Sequence, residues 1–128
     1  MNKYYEWDKF KDIYLEDSFV LGIEESEKEI SFTVEAVLTE EHPMYSPPKQ
    51  DEQYCYKRAR IVFKGLKNVK WLERNSEPFT DADDSEDYGN IDSFELSLEG
   101  YHLLGDWGEV IICSDPPNLE WKTGVENI

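Results

Sequence analysis

The groups in this 128-residue chain that could do acid–base, nucleophilic or metal chemistry are two histidines, two cysteines and 29 Asp and Glu residues. His42 lies in a proline-rich stretch, HPMYSPPK, and His102 follows a Glu99-Gly100 turn. No GxSxG, HExxH, phosphate-binding or dinucleotide-binding pattern accompanies them. A Ser/His/Asp triad leaves no local trace, because its members meet only in space. Paired carboxylates could serve glycoside hydrolysis, but among 29 acids some pairs fall close by chance. The sequence therefore nominates no catalytic residue. Cys55 and Cys113 have no CxxC or Cys/His spacing of the zinc type, and each falls in a strand-like run. They read as buried thiols of a reducing, cytoplasmic compartment.

The segment DADDSED invites a calcium reading. Counted from Asp81 as a twelve-residue calcium loop, acids occupy the first, third, seventh and twelfth places (Asp81, Asp83, Asp87, Asp92). Glu86 stands where a glycine permits the sharp turn, Asp92 is shorter than the usual bidentate Glu, and no flanking helices are indicated. A solvated acidic loop fits better, and no metal or other cofactor is expected.

Charge is more informative. Thirteen Lys and Arg against the 29 acids give a net charge of −16. The charges are segregated. Lys57 to Arg74 carries seven basic residues and one acid, Glu73, whereas no Lys or Arg occurs between Arg74 and Lys122. If the two ribbons lie on neighbouring strands, cross-strand pairs neutralise them. If not, the acidic half projects a field that attracts a basic partner and repels polyanions. Nucleic acid is disfavoured as a partner on either reading, since affinity for it rests on neutralising phosphates. Candidate partner-binding residues are the acids Asp81, Asp83, Asp84, Glu86 and Asp87, with Tyr45 and Trp107 as apolar anchors. Tyr45 sits in the rigid proline loop, which either presents it for recognition or caps the core with it. Trp107, in the turn GDWG, is either an exposed anchor or a lid folded over the core.

These residues must be held by a scaffold, and its elements are legible. Tyr4, Trp7, Phe10 and Tyr14 recur at spacings of three and four, which predicts a short helix over 1–15 capped by Asn2. Beyond residue 18 the period becomes two. EISFTVEAVL places Ile30, Phe32, Val34, Ala36 and Leu38 on one face. YCYKRARIVF places Ala59, Ile61 and Phe63 inward, with Lys57 in conflict. Val69 and Trp71 begin another strand, 75–90 reads as a loop, and Phe94, Leu96 and Leu98 alternate again. Glu99-Gly100 and Gly105-Asp106-Trp107-Gly108 read as hairpin turns. The expectation is a single domain over 1–128: a helix, a β core over 18–123, and a tail over 124–128. The core is predicted to be mainly β, an antiparallel sandwich or partly open barrel of seven to eight strands. No apolar run approaches the roughly 20 residues of a membrane-spanning helix, so no membrane is expected among the partners.

Several strings taken together, LEDSFVLGIE (15–24), LTEEHPMYSPPKQDEQYCYKRARIVF (38–63), VKWLER (69–74), GNID (89–92) and GDWGEV (105–110), resemble a group of small bacterial β-rich single-domain proteins. Most of that group is uncharacterised, and some members are similar to immunity proteins encoded beside polymorphic toxins. The resemblance implies a bacterial cytosolic protein with a binding role and transfers no functional residue. The expected function is non-enzymatic binding of a basic protein, of the toxin-neutralising immunity type. The alternative is a small enzyme or ligand-binding barrel with a pocket near the 42–52 loop. The chain is expected to act as a monomer or a homodimer.

Overall fold

The computed structural model describes residues 3–75, 77–80 and 86–122. The chain is mainly β. Its strands are β1 (Ile13–Glu25), β2 (Glu29–Leu38), β3 (Cys55–Lys64), β4 (Asn68–Arg74), β5 (Phe79–Thr80), β6 (Glu86–Asp87), β7 (Ile91–Ser97), β8 (Gly100–Gly105), β9 (Gly108–Cys113) and β10 (Asn118–Trp121). They form two four-stranded antiparallel sheets, ordered β1-β2-β3-β10 and β4-β9-β8-β7, with a small β5–β6 ribbon beside them. The sheets do not close into a barrel. Among the described residues the strand count also exceeds the expected seven or eight. Residues 75–90, read as loop, contain the short ribbon, and the chain after Pro116-Pro117 docks on β3 as β10.

The two sheets face each other across an aromatic core. Ile30, Phe32, Val34, Ala36, Ala59, Ile61 and Phe63, all on the predicted inner parity, are fully buried. From the first sheet, Phe32 meets Trp107 at 5.1 Å between ring centroids, and Phe63 meets Phe94 and Tyr101 of the second sheet at 5.8 Å each. These rings meet at tilted angles, avoiding the face-to-face stacking that ring quadrupoles disfavour. Lys57 sits half-buried near the start of β3, where a strand end leaves its ammonium a way out.

Among the described residues the predicted N-terminal helix is absent. Two 3₁₀ turns, Tyr4–Glu6 and Asp8–Phe10, replace it, broken at Trp7, whose backbone is extended. The three rings share a side without a continuous helix: Tyr4 and Phe10 come from separate 3₁₀ turns and Trp7 from the extended residue between them. All three rings pack on Phe94, at 6.1, 5.1 and 5.6 Å. Tyr14, the fourth member of the stripe, belongs to β1 and faces outward, 44% exposed. The β core therefore starts at Ile13, not residue 18, and the expected Asn2 cap lies outside the described residues.

β1 reaches its length only by bulging. Tyr14 pairs with Val37 and Phe19 with Glu35, so Leu15 to Ser18 stand opposite Ala36 alone. Ser18, fully buried, fills the gap: its hydroxyl donates to the Tyr14 carbonyl (2.7 Å) and accepts from the Val37 N–H (2.9 Å). On β7 the inner parity fails at its end. Leu96 is 38% exposed at the mouth of a groove, and Leu98 lies in the turn beyond the last pair, Ser97 with Gly100, where nothing covers it. At the neighbouring turn Gly108 has φ 137°, and a Cβ there would run into the Glu73 carbonyl of β4.

Candidate functional site

The histidines support their own loops and strands and, among the described residues, meet no nucleophile. On the outer face of the second sheet, His102 Nε2 lies 2.6 Å from Glu109 Oε2, its one hydrogen-bond partner among the described residues. His42 Nδ1 accepts from the Met44 N–H (3.1 Å), and its ring meets Trp121 edge-on at 5.2 Å. Burial lowers the His42 pKa, which keeps that nitrogen an acceptor and pins the start of the proline loop. Cys55 is buried, Cys113 is half-buried on the other sheet, and both are free. Three pockets among the described residues lie away from the 42–52 loop.

The expected contact residues divide. Asp81, Asp83 and Asp84 lie outside the described residues, and with them the first half of the calcium reading. Among the described residues no group of three or more His, Cys, Asp or Glu could hold a metal ion. Glu86 is exposed on β6. Asp87 is not a surface contact: it is buried, and its Oδ1 accepts the Gly89 N–H at 2.8 Å, a local Asx turn that holds the segment against β1. Beside it the Tyr88 N–H donates to the Val20 carbonyl, and the Val20 N–H donates to that of Gly89. Tyr45 is half-buried against the core. Trp107 is not an exposed anchor. It is 1% exposed, its indole N–H donates to the Asn90 carbonyl (3.1 Å), and Phe32 and Trp71 flank its ring. The two-residue turn folds the indole inward, where burial of so large a ring gains more than exposure.

The charges settle into a pattern. The arginines of the basic ribbon are taken largely by acids of β1 and β2: Arg58 by Glu35 (2.9 Å), Arg60 by Glu29 (3.5 Å), Arg74 by Glu25 (2.5 Å). Among the described residues, only Arg60 also reaches into the acidic half, to Glu120 at 3.0 Å. Lys3 adds a pair with Glu95 (3.2 Å). Glu86, Asp92 and Asp106 have no ion-pair partner among the described residues. Asp92 and Asp106 come together with Glu16 of β1. Burial, and then the charges of Asp106 and Glu16, raise the Asp92 pKa. The flank where β1 meets the 86–92 segment is thus rich in uncompensated carboxylates.

A further surface, absent from the sequence-based expectations, lies on the outer face of the first sheet. It carries Tyr14 and Phe19 from β1 and Tyr56 from β3, with Tyr54 just before β3. The rings of Phe19 and Tyr56 are 6.0 Å apart, and those of Tyr54 and Tyr56 are 6.2 Å apart. Hydrogen bonding to Asp17 and that carboxylate's charge raise the Tyr54 pKa. The signal is in the sequence: with Ala59, Ile61 and Phe63 inward, the opposite parity of the same strand reads Tyr54, Tyr56, Arg58 and Arg60. A helical reading of 1–15 hides Tyr14, and only the bulge at Ser18 puts it on this face. Tyrosine and arginine are residues that interfaces enrich.

Compared with known protein families, curated proteins and solved structures, the chain finds no match. Among the described residues no helix is long and apolar enough to cross a membrane.

Proposed function

We propose that this chain is a non-enzymatic protein-binding domain of the bacterial immunity type, which neutralises a basic toxin. The carboxylate flank attracts the partner, and the Tyr14, Phe19, Tyr54 and Tyr56 face supplies the contact that excludes water. The observation that carries this reading is the unequal use of charge. Three arginines of the basic ribbon are paired to β1 and β2 acids, while Asp92 and Asp106 lack cationic partners among the described residues and crowd each other enough to help raise the Asp92 pKa. A cation from a partner relieves that crowding, so binding and field act together. The resemblance of the strand-edge and turn strings to small bacterial β-rich proteins, some of them similar to immunity proteins, fits the same reading. Two free thiols suit a reducing, cytoplasmic setting. Tyr45 and Trp107 support the loop and the core, with Trp107 removed from the contact.

The test is co-expression with whatever basic protein a neighbouring gene encodes, its absence counting against the proposal, followed by purification and stopped-flow mixing at several salt concentrations. The expected result is a stoichiometric complex whose association rate falls steeply as salt rises. Glu86→Lys with Asp92→Lys slows association about tenfold or more, and Tyr56→Ala mainly speeds dissociation. No complex at low ionic strength, or an association rate indifferent to salt, refutes the proposal.

A further inference from the structure

Independently of the acidic flank, we infer that the open end of the sandwich near the β7–β8 hairpin is an interface for a second copy of this chain. In it, the Leu98-Glu99 turn of each copy seats in the groove of the other. The groove has a volume of about 310 Å³ and is lined by Trp7, Phe10, Leu96, Tyr101 and the Pro116-Pro117 pair. An apolar cavity of about 150 Å³ holds a benzene molecule, so a leucine side chain fits this groove with room to spare. Asp8 and Lys9 complete its rim. The Lys9 ammonium donates to Asn118 Oδ1 at 2.5 Å and, with three donors, keeps two others.

The complement to this groove lies beside it on the same hairpin. Leu96 and Tyr101, both lining the groove, are a cross-strand pair, and the turn that follows carries Leu98 and Glu99. Leu98 is fully exposed, and Leu96 next to it is more than a third exposed. A single exposed leucine needs no explanation. A protruding leucine two residues from an apolar groove of fitting size does, because knob and hole make one contiguous patch. The polar neighbours match as well. Glu99 accompanies Leu98, and Lys9 stands at the groove rim, while Asp8 disfavours any other seating of that acid. Asp115, whose charge acts on Tyr101, adds to the same bias. Since knob and hole share one face of one molecule, a two-fold axis satisfies both at once. That gives a closed, isologous dimer rather than a growing chain. Each copy carries a net charge of −16, so association needs enough salt to screen repulsion.

Sedimentation equilibrium of the full chain tests this, from micromolar to several hundred micromolar, at about 0.15 M salt, where the Debye length is about 8 Å. A monomer–dimer equilibrium is expected, with no larger species. Leu98→Glu, at a site where nothing packs, weakens it at least about a hundredfold, because two leucines per dimer lose their burial. Glu99→Lys weakens it as well, and Glu99→Lys combined with Lys9→Glu restores it, which a merely sticky surface would not do. Circular dichroism of each variant checks the fold. A monomer at every concentration, a dimer indifferent to Leu98→Glu, growth beyond two copies, or failure of the double exchange to restore association each overturns the inference.

Discussion

Replacing Trp107 separates a core role from a surface role by magnitude. The indole is almost fully buried, flanked by Phe32 and Trp71, and bonded to the Asn90 carbonyl. A buried tryptophan cut to alanine costs about 3–5 kcal/mol. Loss of the indole donor adds about 1 kcal/mol by leaving a part-buried carbonyl short of a partner, so Trp107→Ala is expected near the upper end of that range. Trp107→Phe keeps most of the ring. It loses the hydrogen bond, about 1 kcal/mol, and opens about 40 Å³, worth about 1 kcal/mol at ~24 cal/mol per Å³. Its total is about 2 kcal/mol. With a urea slope of about 1.5 kcal/mol/M, the midpoint falls by about 3 M for alanine and somewhat over 1 M for phenylalanine. Circular dichroism is the better probe, since fluorescence would lose one of its own reporters. Total stabilities of about 5–15 kcal/mol leave the alanine variant near the edge of folding, and the phenylalanine variant keeps the test alive. A cost below about 1 kcal/mol for Trp107→Ala would place the ring at the surface and refute its role in the core.

Ser18, the acidic flank and Asp92 each give a further test. Ser18→Ala removes the hydroxyl that accepts from the buried Val37 N–H and is expected to cost about 1–3 kcal/mol in urea melts; a neutral result would show that the β1 bulge does not depend on it. Because Glu86, Asp92 and Asp106 lack cationic partners among the described residues and the net charge is −16, moderate NaCl should raise the melting temperature, and a flat or falling response would show the carboxylates already neutralised. The Asp92 pKa lies above its ordinary value of 3.8 in the folded protein. Between that value and the raised one the native state holds more protons than the unfolded one, so stability falls as pH rises through the window. Asp92→Asn is therefore expected to stabilise the protein at neutral pH and to make no difference well below pH 3.8; equal urea midpoints for the two proteins at neutral pH would remove the crowding with Asp106 and Glu16.

Strand faces are legible in this sequence because a half-buried strand writes its environment with a period of two. Phe32, Val34, Ile61 and Phe63 need only that rule. It fails where the local surroundings stop being a strand packed between neighbours. Leu96 and Leu98 keep the parity of Phe94 yet meet open space, because the hairpin ends there. Tyr4, Trp7 and Phe10 carry a spacing that reads as one helix, but the extended backbone at Trp7 interrupts it, and packing on Phe94 brings the three rings together. The candidate surface is legible only in half. The outward parity of β3 names Tyr54 and Tyr56, but nothing local tells that Tyr14 joins them.

The sequence by itself determines that this chain makes antiparallel sheets with an aromatic interior, and that its charges are segregated along the chain, because alternation and charge are properties of neighbours in the chain. Tertiary structure alone decides which charges meet. Arg58, Arg60 and Arg74 find β1 and β2 acids because those strands lie beside β3 or across from β4. Asp92 meets Asp106 and Glu16 because a turn and a bulged edge strand converge there. Tertiary structure also decides that Trp107 turns inward and Tyr14 outward, since each depends on what the facing element leaves room for. Such neighbours are far apart along the chain, and sequence periodicity carries no record of them.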